Sequence, residues 1–262
     1  MSTGLSKELQ AALDAAEAAA EIIRAHYGRA IGVRIKPDDS PVTEADVLSE
    51  RAIRDVVSGR FPAFGFYGEE TGRHAMDAEA IWIVDPIDGT KCYVRGTPFF
   101  STQIALWRDG RVVLGVSSAP VYGELAWAQE GSGAFLNGRP IHVSAVNNLA
   151  RATVSTGNLR SIASSPTWQG LGKLFARVYS GRGYGDFVHY HLLARGALDV
   201  VIESDIDILD IAAVSVIVRE AGGTFTDLEG KAVSLETESV LASNGLLHAE
   251  VGNLLGSAGA SE

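Results

Sequence analysis

A hydrophobic stretch runs directly into two carboxylates in residues 82–90, Trp-Ile-Val-Asp-Pro-Ile-Asp-Gly-Thr. Asp85 and Asp88 stand three residues apart across a turn that Pro86 stiffens. Both carboxylates, and the carbonyl oxygen of Ile87 between them, can therefore converge on hard cations, which prefer oxygen ligands. The spacing predicts a metal site at the end of a strand.

Two residues that could hold an anion follow at once. Gly89 has no Cβ, so a phosphate can approach its backbone closely. If a helical turn begins at Gly89 and Thr90, its free N–H groups favour an anion as well. These residues indicate a metal site that faces a phosphate. The alternative is structural, because Asp, Pro and Gly also form an acidic β-turn that caps a short helix without any ligand.

Further acidic segments could supply the partners of such a site. They read Pro-Val-Thr-Glu-Ala-Asp at 41–46, Gly-Glu-Glu at 68–70 and Leu-Asp-Ile-Ala-Ala at 209–213. Four acidic segments in this order, with residues 82–90 at the centre, resemble the inositol monophosphatase family of magnesium-dependent, lithium-sensitive phosphatases. The resemblance extends from about residue 36 to about residue 244.

The resemblance implies a set of metal ligands. Glu69, Asp85 and the carbonyl of Ile87 would hold one Mg²⁺, while Asp85, Asp88 and Asp210 would hold a second. A third, weaker ion near Glu69 is part of the family pattern. Two such ions roughly 4 Å apart can clamp a phosphoryl group and activate a water. Without the upstream acids, Asp210 would be read as an ordinary helix N-cap.

The resemblance also assigns catalytic roles. Glu69 belongs to the catalytic set, and Thr90, with Asp46 behind it, would orient the attacking water. The amides of Gly89 and Thr90 would hold phosphate oxygens. Asp46 has a structural role open to it too, because Thr43 and Asp46 form a capping-box pattern at the start of a helix.

The substrate is indicated by the second half of the chain. Asp186 follows Gly185 where inositol phosphatases have a small or hydroxylated residue, and this position resembles the histidinol-phosphate phosphatase branch. Lys91 points to the same branch. An acidic pocket suits a substrate that carries an ammonium group. Glu203 and Asp210 match substrate-contacting acids of the family, and Glu203 could bind a sugar hydroxyl or the amine.

Some residues depart from the family pattern or remain unassigned. Leu209 stands where most relatives have Trp, and Cys92 and Tyr93 stand where this branch often has Asn and Phe. Histidines two apart in a helix fall on different faces, so neither of the pair at 189 and 191 is expected to bind metal. The residues without an assigned role are Glu70, Asp205, Asp207, His189 and His191.

The pattern of elements predicts two halves. Residues 5–27 read as an amphipathic helix and a second helix begins after Thr43, while residues 99–143 read as antiparallel strands with turns at 109–110 and 137–138. After about residue 147, short strands alternate with helices, as in an α/β unit. We expect an α+β half at 1–147, an α/β half at 148–262 that carries the last metal ligand, and the layered αβαβα sugar-phosphatase fold with its active site between the halves.

Composition restricts the partners. With 22 basic against 32 acidic residues and a net charge of −10, the chain is not expected to bind nucleic acid. Bound cations must then reverse the local charge before an anionic substrate can bind. A single cysteine, no signal-peptide pattern and no apolar run of about 20 residues indicate a cytoplasmic protein without membrane partners.

The sequence therefore predicts a Mg²⁺-dependent phosphatase of L-histidinol phosphate in histidine biosynthesis, assembled as a homodimer like its relatives. The alternatives within the enzyme class are hydrolysis of inositol 1-phosphate or of an adenosine bisphosphate. The alternative outside that class is a non-catalytic sensor of metals or phosphorylated metabolites, against which the intact set of acids argues.

Overall fold

The computed structural model describes residues 5–29, 32–36 and 41–256. Its helices are α1 (Lys7–His26), α2 (Glu44–Arg60), α3 (Thr90–Val94), α4 (Leu159–Ala163), α5 (Thr167–Phe175), α6 (Asp186–Ala194), α7 (Ile208–Glu220) and α8 (His248–Gly256), with a 3₁₀ turn at Leu149–Arg151. The strands are β1 (Val33–Ile35), β2 (Pro41–Thr43), β3 (Gly65–Gly68), β4 (Gly72–His74), β5 (Ala80–Asp88), β6 (Ser101–Arg108), β7 (Arg111–Ala119), β8 (Glu124–Gln129), β9 (Ala134–Leu136), β10 (Arg139–Ile141), β11 (Thr153–Thr156), β12 (Ser180–Arg182), β13 (Val200–Ser204), β14 (Thr224–Thr226) and β15 (Ser239–Ser243).

Contacts divide the chain into two compact units. The first comprises residues 1–130 together with 209–216, and the second comprises residues 131–208 and 217–262. This division differs from the boundary expected at 147, and it groups Asp210 with the upstream acids rather than with the second half. The reason is packing, since the first part of α7 contacts β7.

The two predicted N-terminal helices are present and begin at local signals. Ser6 caps α1, because its hydroxyl accepts the N–H of Leu9 at 3.0 Å. At the start of α2 the predicted capping box forms between Thr43 and Asp46. The alanine-rich face of α1 is buried and packs with α2 into the core of the first unit around Trp82.

The sheet of the first unit has the strand order β8-β7-β6-β5-β3-β4. It is antiparallel, as predicted, except that β3 runs parallel to β5. Asp109 and Gly110 both adopt positive φ in the β6–β7 turn, and Asn137 and Gly138 do so between β9 and β10, so both predicted turns are confirmed.

The second unit contains a five-stranded sheet of order β12-β11-β13-β15-β14. The pairs β12–β11 and β11–β13 are parallel, and β15 runs antiparallel to both β13 and β14. A separate hydrophobic core under α5 and α8 includes Leu171, Leu174, Val251 and Leu255. No helix within the described ranges combines the length and the apolar character that crossing a bilayer requires.

Helix α7 approaches β7 closely at a glycine. A Cβ built on Gly115 would lie 2.4 Å from the carbonyl oxygen of Ala213 and 2.7 Å from its Cα. Both of these atoms belong to backbone, which cannot yield as a flexible side chain does. Gly115 therefore allows the first turns of α7, and with them Asp210, to lie against the sheet of the first unit.

Replacing Gly115 with alanine should destabilise the protein by about 1–3 kcal/mol, because the added methyl group overpacks the contact between β7 and α7. Urea unfolding measures this difference. Gly59→Ala is the matched control, since a Cβ there meets nothing within 4 Å, and it should be neutral or slightly stabilising. Equal midpoints for Gly115→Ala and the wild type would contradict the packing argument.

Candidate active site

Strand β5 brings Asp85 and Asp88 to the same side of the sheet through a bulge. In a regular strand, residues three apart point to opposite faces. Here Asp85 pairs with Gln103 and Asp88 with Ser101, so three steps on β5 match two on β6 and one residue is extra. The predicted turn at residue 86 is thus an irregularity within a strand, which also accommodates Pro86.

Three carboxylates meet at the end of this strand. Asp85, Asp88 and Asp210 each offer a ligand oxygen, and these oxygens all lie within 4.8 Å of one another. Asp210 lies in the first turn of α7 rather than at its N-cap. Burial raises the pKa of Asp85 well above its usual value, and the negative charges of Glu69, Asp88 and Asp210 raise it further.

Glu69 lies beside this cluster but is held by a lysine. Its Oε1 accepts from Lys36 Nζ at 2.8 Å, and the same Nζ donates to Glu70 Oε1 at 2.6 Å. Although burial lowers the pKa of Lys36, the hydrogen bonds to Glu69 and Glu70 raise it on balance. Burial also raises the pKa of Glu70, against the effect of Lys36. Lys36 was not predicted, and it supplies positive charge next to Glu69.

Glu50 is a second residue that the sequence prediction missed. Its buried carboxylate accepts the N–H of Glu70 at 2.7 Å and of Thr71 at 2.9 Å, so it fixes the turn that follows β3 and carries Glu69. A Cβ on Gly68 would lie 2.6 Å from this carboxylate. The signal was present in the sequence, because Glu50 stands one helical turn after Asp46 on the buried face of α2.

Asp46 and Thr90 lie within hydrogen-bonding distance of each other. Asp46 Oδ2 accepts from the backbone N–H of Thr43 at 2.7 Å, and Thr90 Oγ1 lies 3.3 Å from Asp46 Oδ1. The Thr90 hydroxyl has a single proton to donate, and the carbonyl oxygen of Ile87, at 2.9 Å, is the nearer of its two possible acceptors. Burial raises the pKa of Asp46, and the charge of Glu69 adds to this effect, whereas hydrogen bonds from Thr43 lower it. The capping role and the link to Thr90 therefore coexist.

Gly89 is the N-cap residue of the short helix α3, and its conformation requires glycine. Its φ is +88°, in the left-handed region, and a Cβ would lie 2.8 Å from the carbonyl oxygen of Phe99. The helix starts at Thr90, as the residue types predicted. Ile87, whose carbonyl was predicted as a metal ligand, is buried directly before it.

The donor set fits a hard divalent cation. All the converging groups are oxygens, from the carboxylates of Asp85, Asp88 and Asp210, and the first two of these residues are buried. Like charges this close raise one another's pKa unless a cation compensates them. Asp85, Asp88 and Asp210 form the group that the structure brings together, while Glu69 adjoins it through Asp85.

The residues predicted to contact the substrate lie at the start of α6 and on β13. Gly185 is the N-cap of α6, with φ +69°, and Asp186 is the first helical residue, so Asp186 does not itself cap the helix. Asp186 has φ +46°, which is uncommon for a residue other than glycine. Strain of this kind concentrates at functional sites.

Glu203 is buried on β13 and held by two donors. Its Oε2 accepts from the hydroxyl of Tyr190 at 2.8 Å and lies 3.1 Å from Nε2 of His189. His189 and His191 are both buried in the core of the second unit. Asp205 and Asp207 are exposed, in agreement with their interpretation as a solvated loop.

The chain is similar to known proteins over most of its length. The model of the inositol monophosphatase family matches residues 5–258. A protein of Mycobacterium tuberculosis named histidinol-phosphatase is 41% identical, over 93% of this chain and 96% of its own length. A histidinol-phosphatase of Chlorobaculum parvum is 37% identical, over 92% and 93%.

A solved structure of similar fold is an IMPase from Thermotoga maritima. It superimposes with a TM-score of 0.87 at 32% identity, and the alignment covers 97% of this chain and 98% of that one. The likeness confirms the predicted sugar-phosphatase fold class. The chain belongs to the inositol monophosphatase family, a family of metal-dependent phosphoric monoester hydrolases.

Proposed function

We propose that this protein is a Mg²⁺-dependent phosphatase that hydrolyses L-histidinol phosphate to L-histidinol and phosphate. The observation that carries the metal-dependent part is the convergence of Asp85, Asp88 and Asp210 beside Glu69. The substrate is supported by Asp186 at the start of α6 and by relatives named histidinol-phosphatase at 37–41% identity.

Two Mg²⁺ ions would be held by Glu69, Asp85, the carbonyl of Ile87, Asp88 and Asp210, and the family pattern suggests a third, weaker ion near Glu69. When bound, they supply positive charge to the phosphoryl oxygens and lower the pKa of a water. Hydrolysis then transfers the phosphoryl group to water, and the alcohol leaves with a proton, so no covalent enzyme intermediate is needed.

The chain's own residues orient the reacting groups. Under this proposal the Thr90 hydroxyl donates its proton to Asp46, 3.3 Å away, rather than to the carbonyl of Ile87, and its oxygen positions the attacking water. Under this proposal the amides of Gly89 and Thr90, at the start of α3, bind phosphate oxygens. Glu69 completes the catalytic set by accepting a proton from the water.

The substrate's leaving group is recognised by acidic side chains of the second unit. Under this proposal Asp186 pairs with the ammonium group of histidinol phosphate, and Glu203 accepts a second hydrogen bond from it. Asp210 contributes to substrate binding as well as to the metal. Charge-assisted contacts of this kind discriminate against an uncharged alcohol.

Inositol 1-phosphate is the second candidate substrate. It is favoured by the fold likeness to the Thermotoga maritima IMPase and by Glu203, which could accept from a sugar hydroxyl. Assembly as a homodimer and a cytoplasmic location, which the family resemblance suggests, are further parts of the proposal.

Phosphate release from a panel of substrates decides between these functions. We expect the highest kcat/KM on L-histidinol phosphate, a lower value on inositol 1-phosphate and the lowest on adenosine 3′,5′-bisphosphate. Turnover that persists after exhaustive chelation of divalent cations would contradict the metal dependence. An absence of turnover on every phosphate ester would favour the sensor alternative.

Asp88→Asn should reduce kcat by about 100-fold or more, because it removes one charge from the metal cluster without changing side-chain size. Steady-state rates at saturating Mg²⁺ measure the effect, and circular dichroism checks the fold. Asp205→Asn is a control for the loss of one exposed carboxylate, and it should retain wild-type rates. Full activity of Asp88→Asn would rule out its role as a ligand.

Asp186→Asn should raise KM for histidinol phosphate, since the lost charge-assisted contact costs about 1.5–3 kcal/mol, or roughly 10- to 150-fold in kcat/KM. Asparagine tolerates the positive φ of this position, so the backbone is preserved. The loss on inositol 1-phosphate should be much smaller. Equal losses on both substrates, or a lowered melting temperature alone, would show that Asp186 acts only on the helix.

A further inference from the structure

A buried histidine connects Glu203, one of the acidic residues proposed to select the substrate, with the backbone just before Asp186, the other. His189 lies on α6 with no exposed side-chain surface, and its imidazole contacts one residue of β11 and one residue of β13. Nε2 is 3.1 Å from Oε2 of Glu203, and Nδ1 is 3.5 Å from Oγ of Ser155. The proposed catalytic machinery does not use this imidazole.

The chemistry of the partners fixes the direction of these hydrogen bonds. An ionised carboxylate only accepts, so with Glu203 ionised Nε2 carries the proton. In the neutral imidazole Nδ1 is then an acceptor, which takes the hydroxyl proton of Ser155. Ser155 Oγ is left to accept the backbone N–H of Tyr184, which lies at 3.1 Å. A single chain of hydrogen bonds therefore runs from Tyr184 to Glu203.

Each end of this series of hydrogen bonds lies at or near a residue proposed to select the substrate. Tyr184 stands two residues before Asp186, so its fixed N–H determines where the backbone enters α6. At the other end, His189 and Tyr190 both occupy Oε2 of Glu203. Oε1 accepts no hydrogen bond from the residues that the structure describes.

The second oxygen of Glu203 has space because a glycine lies against it. A Cβ built on Gly157 would lie 1.9 Å from Oε1, so any other residue at this position would displace the carboxylate. The side chain of Glu203 retains 6% exposure. One oxygen is therefore anchored in the core by two donors, and the other is left for a ligand that donates a hydrogen bond.

We infer that His189 is a positioning residue for substrate selectivity. It holds Glu203 so that Oε1 is available to a cationic substrate. Through Ser155 it also holds the backbone that precedes Asp186. The inference rests on the proposed function, because it concerns the groups that would bind the ammonium of histidinol phosphate. The imidazole itself does not contact the substrate.

The test uses the full chain and two replacements of His189. His189→Leu removes both hydrogen bonds, whereas His189→Gln restores an amide N–H that can donate to Glu203. Tyr190→Phe removes a donor to the same oxygen and keeps the ring that stacks on Phe225, so it remains informative if His189→Leu does not fold. The measurement is the ratio of kcat/KM on L-histidinol phosphate to kcat/KM on inositol 1-phosphate.

We expect this ratio to fall about tenfold in His189→Leu, the scale of one hydrogen bond to a charged group, and to recover in His189→Gln. Tyr190→Phe should also lower the ratio of the two kcat/KM values. Hydrogen exchange at the Tyr184 amide should accelerate in His189→Leu. His248→Leu is the matched control, because His248 bridges Ser243 and Thr226 elsewhere in the second unit, and it should leave the ratio unchanged.

A wild-type preference for histidinol phosphate that persists in His189→Leu and Tyr190→Phe would overturn the inference and leave the proposed function standing. Equal losses on both substrates would also overturn it, since they would indicate a structural role alone. A wild type without this preference would overturn the proposed substrate, and the inference with it.

Discussion

Carboxylates gathered around the buried Asp85 repel one another, and the structure of the first unit must hold them together against this repulsion. Burial and the charges of Glu69, Asp88 and Asp210 all raise the pKa of this group. Such an arrangement persists only because separate parts of the backbone impose it: the bulge in β5, the first turn of α7 and the turn held by Glu50. A hard cation would compensate the charge of this group of oxygens.

Lys36 shows how the protein compensates this charge in part with its own residues. Its ammonium group binds Glu69 and Glu70, at the edge of the cluster. Asp85, Asp88 and Asp210 form a group that could hold a metal ion, and the chain as a whole carries a net charge of −10. Under the proposed function, binding of an anionic phosphate ester is therefore coupled to binding of divalent cations. Under the proposed function, the choice between histidinol phosphate and inositol 1-phosphate depends instead on the hydrogen bonds that run from Tyr184 to Glu203.

Local signals in the sequence were sufficient for part of this account. The capping box at Thr43, the turns at 109–110 and 137–138, and the adjacency of Asp85 and Asp88 each depend on residues a few positions apart. Glu50, Lys36 and His189 were missed because their roles depend on partners 14 to 34 positions away along the chain. The parallel pairing of β3 with β5 and the grouping of Asp210 with the first unit are likewise set by long-range packing. Ile87, Gly89 and Thr90 were predicted from the residue types together with Asp85 and Asp88, whereas Asp210 and the remaining site residues came from the family resemblance.

Thermal unfolding of the wild type as a function of Mg²⁺ tests most directly the claim that the carboxylate cluster requires a cation. The titration is made at constant ionic strength, with Na⁺ replacing Mg²⁺, so that general screening does not change. The account predicts a melting temperature that rises steadily with Mg²⁺, equivalent to about 2.7 kcal/mol at a concentration 100 times the Kd. A melting temperature that depends on ionic strength but not on Mg²⁺ would contradict it.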